Sequence, residues 1–185
     1  MNAYVRTLRK LIRPRSQEAA LDWDAVYDGA LPKVYNFFLY RLADSGLAED
    51  LTATTFERAW RGRDRFQPDR AEPVTWLLGI ARNVWREHLR QQHRAQSLSL
   101  ETVEHLPAES DLERQLQARA ERERLRALLA RLPEREQDLI ALKYGAGLTN
   151  RQIAAMTGLS ESNVGTILHR TVRKLRKQWE DESYG

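Results

Sequence analysis

The chain has 185 residues, enough for one or two small domains, and its 30 basic and 26 acidic residues give a net charge of +4, which suits an acidic partner such as nucleic acid. It contains no cysteine, which excludes disulfides, a thiol nucleophile and cysteine-ligated metal centres. Its longest apolar run, residues 76–81, is far too short for a membrane span, and the N-terminus lacks the apolar core of a signal peptide, so we expect a cytoplasmic protein.

The chain begins with a basic arm, residues 1–21. Apolar residues in the arm are spaced like one face of a helix, but a frayed terminus is the interpretation we favour. Because glycine and proline are few and runs of β-branched residues are absent, we expect the rest of the chain to be all-α.

Three helices are predicted between residues 22 and 95, and together they form a first domain. The spacing of large apolar residues predicts helices over 22–43, 47–61 and 74–94. Pro32 should kink or split the first helix, and Trp60 should be buried in the second. A charged loop rich in turn-forming residues, RGRDRFQPDRAEP, separates the second and third helices.

The composition changes after the first domain. Residues 97–113 contain five acidic residues and no lysine or arginine, and their serines and proline argue against one continuous helix, so we interpret residues 96–112 as a flexible linker. Helical patterning returns over 113–179 and predicts a second domain of about four helices, followed by a frayed acidic tail, 180–185. The predicted fold is therefore two small helical domains joined by a flexible acidic linker.

The most specific local motif lies at the end of the second domain, over residues 149–177. Thr149 and Gln152 have the spacing of a capping box, Gly158 stands where a first helix must stop, and Ser160 can cap a second helix. This pattern is typical of a helix-turn-helix, whose second helix enters the major groove of DNA. A basic C-terminal end on that helix favours DNA binding over a plain helical hairpin.

A second candidate site lies on the third predicted helix of the first domain. An arginine recurs there every four residues, in a row that drifts slowly round the helix as a wrapping anionic strand would require: Arg82, Arg86, Arg90 and Arg94. Asn83 lies beside this row and can contact a base edge, while Phe66, Trp76 and Trp85 can stack on unpaired bases. A solvated charged face with buried aromatics is the alternative interpretation.

The sequence contains no constellation typical of catalysis. The pair Glu87-His88 lacks the second histidine of a zinc motif, and a phosphate-cradling glycine-rich loop is missing. We therefore predict that the chain is not an enzyme and has no metal, cofactor or small-molecule substrate.

Four segments, in this order, resemble the bacterial RNA polymerase sigma factors of the extracytoplasmic-function (ECF) type, the compact two-domain members of the sigma-70 family. The segments are AEDLTATTFERAW, TWLLGIARNVWREHLR, RLPEREQDLIALKYGAGLTNRQIAAMTGLS and SNVGTILHRTVRKLR. Helix-turn-helix regulators are many, so the ordered set is far more specific than any one motif. The resemblance implies a sigma region 2-like domain over 22–95 and a region 4-like domain over 113–179.

This resemblance implies a sigma factor that binds core RNA polymerase, directs initiation at promoter DNA and helps to open it. Contacts to the clamp helices of the largest subunit would come from Asp50, Thr54, Glu57 and Arg58, and the flap region would be a further polymerase contact. Contacts to the −10 strand would come from Phe66, Trp76, Arg82, Asn83, Arg86 and Arg90. The −35 duplex would be read by Arg151, Ser162, Asn163, Thr166, His169, Arg170, Arg173 and Lys174. An anti-sigma factor is a further candidate partner that the family implies.

Two other classes of function compete with this interpretation. One is a stand-alone helix-turn-helix regulator whose N-terminal domain senses a ligand or dimerises, and the other is an enzyme that processes nucleic acid. The arginine row with its neighbouring aromatics, together with the acidic linker, counts against the regulator. The lack of an acid/base or metal constellation counts against the enzyme.

Overall fold

The structure, a computed structural model, describes residues 22–42, 44–96 and 112–182. All regular secondary structure in these ranges is helical, which confirms the predicted all-α class. The predicted basic arm, nearly all of the predicted linker and the last three residues lie outside the described residues. Among the described helices, none combines the length and apolarity needed to cross a bilayer.

Seven α-helices make up the described chain, three in the first domain and four in the second. The first domain contains α1 (Trp23–Leu39), α2 (Ser45–Arg61) and α3 (Pro73–Gln96), with a short 3₁₀ turn at Arg63–Arg65 after α2. The second contains α4 (Leu112–Ala130), α5 (Glu134–Ile140), α6 (Asn150–Thr157) and α7 (Glu161–Asp181). A π-helical turn, Ala141–Gly145, extends α5.

The first two helices begin at aspartate caps. A side-chain oxygen of Asp22 accepts from the backbone N–H of Ala25 at 3.2 Å, and Asp44 accepts from that of Gly46 at 2.8 Å. The second cap starts α2 two residues before the predicted boundary. Pro32 does not split α1, because it lies on the exposed side of the helix, where solvent can reach the carbonyl that loses its N–H partner.

The core of the first domain forms where α1, α2 and α3 meet. Phe37 and Phe38 of α1 are fully buried with their ring centroids 5.3 Å apart, and Leu77 and Leu78 of α3 are fully buried with them. Trp60 is 53% exposed, so the prediction that it is buried was wrong. Its neighbour Ala59 occupies the inward position of α2, and one further residue rotates the side chain by about 100° towards the surface.

The second domain packs α7 against the other three helices. Its buried side chains include Leu128, Leu139, Leu142, Ile153 and Val164, one or more from each helix or turn. The end of α7 is tied to α4, because Glu182 accepts from Arg131 at 2.9 Å and from Arg124 at 3.4 Å. The acidic tail was expected to fray after Trp179, but α7 continues to Asp181, and these ion pairs hold Glu182 at its end.

The two domains pack against each other. The π turn lies on α1, and α6 approaches α3, so that buried apolar residues of both domains form one continuous core. This arrangement decides which faces of α3 and α7 remain accessible.

Candidate nucleic-acid interface

The helix-turn-helix forms as the motif predicts. Thr149 Oγ1 accepts from the backbone N–H of Gln152 at 3.2 Å, and the Gln152 side chain accepts from the backbone N–H of Thr149 at 2.9 Å. Gly158 ends α6 in the left-handed region at φ +73°, and Ser160 then caps α7 by accepting from the N–H of Asn163 at 3.2 Å. These local bonds fix the angle at which α7 leaves the turn.

Replacing Gly158 by alanine is expected to lower the free energy of unfolding by about 1–2 kcal/mol, the cost of placing a Cβ in the left-handed region. No heavy atom lies within 4 Å of the added Cβ, so the cost is conformational and not steric. Urea unfolding followed by circular dichroism measures it. Gly29→Ala is the matched control, since Gly29 also has open space but lies within α1, where alanine stabilises. Equal stability of the two variants would contradict the strain at Gly158.

One face of α7 is exposed and polar, and the other is buried. Val164, Ile167, Leu168 and Thr171 are the buried residues, and they hold α7 against its domain. The structure places every residue predicted to read the −35 duplex on the surface, one on α6 and the rest along α7 at helical spacing: Arg151, Ser162, Asn163, Thr166, His169, Arg170, Arg173 and Lys174. Arg170 approaches the largely buried Glu136 at 3.6 Å, but its own side chain is 73% exposed and so remains able to contact DNA.

A groove of about 530 Å³ lies between the π turn, α6 and α7. Lys143, Arg173 and Arg176 give it a cationic lining, His169 adds a polar ring, and Gly165 lies opposite Asn150. Motif reasoning missed Lys143 and the exposed Tyr144, because the π turn that presents them has no recognisable sequence pattern. The groove extends the cationic surface of α7 towards the rest of its domain.

The aromatic residues of the first domain form a connected cluster beside the charged loop. The ring of Trp76 lies 5.2 Å from that of Phe66 and 6.0 Å from that of Trp23, which in turn lies 5.8 Å from Trp60. Phe66 and Trp76 are partly buried, so each contributes to the core and also reaches the surface. Trp85 is buried, 6% exposed, so the prediction that it can stack on a base was wrong. The guanidinium of Arg63 covers the exposed ring of Trp60 at 4.3 Å.

The predicted arginine row on α3 is divided by the structure. Arg86 and Arg90 are exposed, and Arg86 donates to Oδ1 of the exposed Asn83 at 3.3 Å. Arg82 instead turns towards the second domain, and its side chain is only 14% exposed. The expectation that all the arginines share one accessible surface therefore needs correction, because Arg82 lies where the second domain packs on α3.

Asp138 of α5 holds both Arg82 and Arg41 of the first domain. Its Oδ2 accepts from Nη2 of Arg82 at 2.8 Å and from Nε at 3.0 Å, and its Oδ1 accepts from Nη1 of Arg41 at 2.6 Å. Arg41 is buried between the rings of Phe37 and Trp85, which lie 5.4 and 4.8 Å from its guanidinium. Burial lowers the pKa of Arg41 below its ordinary value, and the Asp138 carboxylate opposes that shift.

The residues predicted to contact the polymerase lie on α2. Asp50 is exposed, and Thr54 donates to its carbonyl oxygen at 2.9 Å. Glu57 pairs with Arg61 at 2.6 Å, and Arg58 pairs with Glu87 of α3 at 2.7 Å. All four predicted positions follow helical spacing, so they lie close together on one side of α2.

Comparison with known families matches the two domains separately. Residues 26–95 match the family model described as sigma-70 region 2, and residues 122–175 match that described as sigma-70, region 4. The two matches fall in the first and second helical domains, on either side of the acidic segment.

Several curated proteins align over most of the chain. ECF RNA polymerase sigma factor RpoE of Cereibacter sphaeroides is 29% identical over 171 residues, which cover 92% of each chain. ECF RNA polymerase sigma factor SigL of Mycobacterium tuberculosis is 30% identical over 160 residues, 86% of this chain and 89% of SigL. BldN of Streptomyces coelicolor, also an ECF RNA polymerase sigma factor, is 29% identical over 91% of this chain, which spans 65% of the length of BldN.

Solved structures share the fold at lower identity. Sigma factor RpoE from Bartonella quintana, in complex with the anti-sigma factor NepR, superposes with a TM-score of 0.67 at 22% identity, over 86% of this chain and 97% of that one. CnrH in complex with the cytosolic domain of CnrY gives a TM-score of 0.59 at 23% identity, over 86% of each chain.

Proposed function

This chain belongs to the ECF RNA polymerase sigma factors of the sigma-70 family, and from that membership we propose that it binds core RNA polymerase and directs it to promoters by recognising −10 and −35 elements. One observation carries the proposal: regions 2 and 4 occur in order on one chain, and region 4 presents an exposed polar helix in a helix-turn-helix. Sigma factors are transcription initiation factors, so we assign the chain no catalytic activity of its own and expect it to act in the cytoplasm.

The −35 element is assigned to α7. In the major groove each base pair presents a distinct pattern of donors, acceptors and methyl groups, which a helix can read. Asn163 and Thr166 lie in the first turns of α7, where they can reach base edges. Arg173, seven residues after Thr166 on the same side of the helix, can also reach a base edge. Arg170 and Lys174 can contact phosphates and so fix the register of the helix on the duplex.

Recognition of the −10 strand is assigned to the aromatic cluster and to the arginines of α3. A base read in a pocket must first be unstacked, at a cost of a few kcal/mol. Stacking on partly exposed aromatics such as Phe66 and Trp76 offsets that cost, and Arg86 and Arg90 can hold the backbone beside them. Arg82 joins this surface only when it leaves Asp138.

Polymerase binding is assigned to the α2 face that carries Asp50, Thr54, Glu57 and Arg58, with the clamp helices of the largest subunit as the partner. The flap region is proposed as a second polymerase contact. The structure of RpoE with the anti-sigma factor NepR supports an anti-sigma factor as a candidate regulator of this chain too.

Reconstituted transcription tests the proposal. The purified chain is added to core polymerase with a pool of genomic fragments, and transcripts are mapped by their 5′ ends. We expect initiation at a set of sites that share −10 and −35 sequences and that depend on the added chain. A chain that directs no initiation, yet alone binds duplex DNA tightly and specifically, would instead be a stand-alone regulator.

Arg173→Ala is expected to weaken −35 recognition by about 1–3 kcal/mol, roughly tenfold to a hundredfold, because the exposed Arg173 side chain lies on the polar face of α7. Binding of the polymerase holoenzyme is measured on a promoter with its −35 element intact and on the same promoter with that element scrambled. The loss should appear only with the intact element. Lys33→Ala removes an exposed positive charge of α1 outside every proposed DNA contact, so it is the matched control and should bind like the wild type.

A further inference from the structure

We propose that the free chain is held closed by an interdomain latch, formed by Arg41, Arg82, Asp138 and Gly145, that withholds Arg82 from promoter DNA. The part that concerns DNA rests on the proposed function of Arg82, whereas the closed state itself does not. Three observations carry the proposal. Two arginines share the carboxylate of Asp138, every nitrogen of the Arg82 guanidinium donates to the second domain, and a Cβ on Gly145 would clash with atoms of the first domain.

The shared carboxylate is that of Asp138. Its two oxygens are divided between two arginines of the first domain, Oδ1 with Arg41 and Oδ2 with Arg82. The side chains of Asp138, Arg82 and Arg41 are 16%, 14% and 1% exposed, so water screens these pairs far less than it screens surface pairs. Removing Asp138 from the closed state would leave the buried guanidinium of Arg41 without its carboxylate, a costly arrangement.

Arg82 has no nitrogen left for DNA while the latch is closed. Its Nε and Nη2 donate to Asp138, and its Nη1 donates to the carbonyl oxygen of Met156 at 2.8 Å. Both of these partners belong to the second domain. A phosphate or a base can therefore bind the Arg82 guanidinium only after the domains separate, so the closed state and the DNA-bound state exclude each other at this residue.

Gly145 lies where the two domains are in such close contact that a larger residue would not fit. A Cβ on this residue would lie 2.8 Å from the carbonyl oxygen of Asn36, 3.1 Å from its carbonyl carbon and 3.2 Å from Cδ2 of Tyr40. All three atoms belong to the first domain. Gly145 has no positive φ, so its own domain does not require glycine for the backbone conformation. Glycine is therefore needed at this position to let the two domains approach each other, and not for the backbone conformation of the turn.

Replacing Gly145 by alanine should therefore separate the two domains by steric conflict, while every charged residue of the latch is kept. Because the chain has no cysteine, Lys33→Cys and Glu180→Cys introduce unique sites for a donor and an acceptor dye, one in each domain and both exposed. Single-molecule energy transfer on the full chain, without polymerase, then reports the distance between domains. We expect a predominant high-transfer population in the wild type and a shift to low transfer in the Gly145→Ala variant.

Two further variants keep the result unambiguous. Gly29→Ala, a helical glycine with open space around it, should keep the high-transfer population. Asp138→Ala should open the latch as Gly145→Ala does, by loss of charge instead of by steric conflict. A wild type with only low transfer, or a Gly145→Ala variant with the same high transfer as Gly29→Ala, would overturn the latch.

The DNA part is tested with a short fluorescent single strand of mixed sequence as the probe. Opening should raise the affinity of Gly145→Ala about tenfold over the wild type, since overpacking at backbone atoms removes most of the closed population. The double variant Gly145→Ala/Arg82→Ala should lose that gain. Opening without any gain in affinity would uphold the latch and contradict the DNA role of Arg82 under the proposed function.

Discussion

Phe38→Ala is expected to destabilise the first domain by about 4 kcal/mol, because it removes a fully buried ring from the centre of a small core. Phe38 packs against the ring of Phe37, and α2 and α3 both pack against α1 in this core. A loss of this size is a large fraction of the stability of a small domain. Urea unfolding followed by tryptophan fluorescence measures it, since Trp23, Trp60, Trp76 and Trp85 all belong to this domain.

The matched control for Phe38→Ala is Tyr27→Ala, an aromatic residue of the same helix that is 46% exposed and contacts Phe56. It should cost about 1 kcal/mol or less. Both variants remove an aromatic ring from α1, so the difference between their losses of stability measures the effect of burying the ring. Similar losses for both would contradict the placement of the core on the side of α1 that carries Phe38.

Arg82→Ala is expected to act in opposite directions on the free chain and on the holoenzyme. In the free chain it removes one arm of the latch and should increase the open population. In the holoenzyme it removes the charged contact to the −10 strand that we propose for Arg82, worth about 1.5–3 kcal/mol, so promoter opening should fall by about tenfold to a hundredfold. Fluorescence of a base analogue placed in the −10 element follows the opening.

Gln91→Ala is the control for Arg82→Ala, since Gln91 is an exposed residue of α3 outside the proposed contacts. It should leave both the domain distance and promoter opening unchanged. Normal opening by the Arg82 variant would remove this residue from the −10 surface and leave it a role in domain packing alone.

Local signals in the sequence predicted most of the helices and the helix-turn-helix. The capping box at Thr149 and Gln152, the stop at Gly158 and the cap at Ser160 are each decided by residues within a few positions, so their physics is readable without a structure. The exposed face of α7 follows from the same periodicity that buries Val164 and Leu168.

What the sequence did not predict depends on contacts between distant residues. Arg41 and Asp138 are 97 positions apart, and nothing near either one indicates the other. Arg82 fits the arginine row by spacing, yet its surroundings come from α5 and α6 of the other domain. Trp60 has the spacing of a core residue and is displaced to the surface because Ala59 fills the inward position. The π turn likewise differs from an α-helix only in its bonding, with the N–H of Ala146 donating to the carbonyl oxygen of Ala141 at 2.9 Å.

The full engagement of the Arg82 guanidinium by the second domain has a thermodynamic consequence. If Arg82 contacts DNA as proposed, DNA binding and domain closure compete for the same side chain, and the competition is reciprocal. The factor by which domain closure lowers the affinity for DNA equals the factor by which bound DNA lowers the equilibrium constant for domain closure. A molecule that bridges the two closed domains from the outside would therefore oppose promoter binding without touching any surface that contacts DNA.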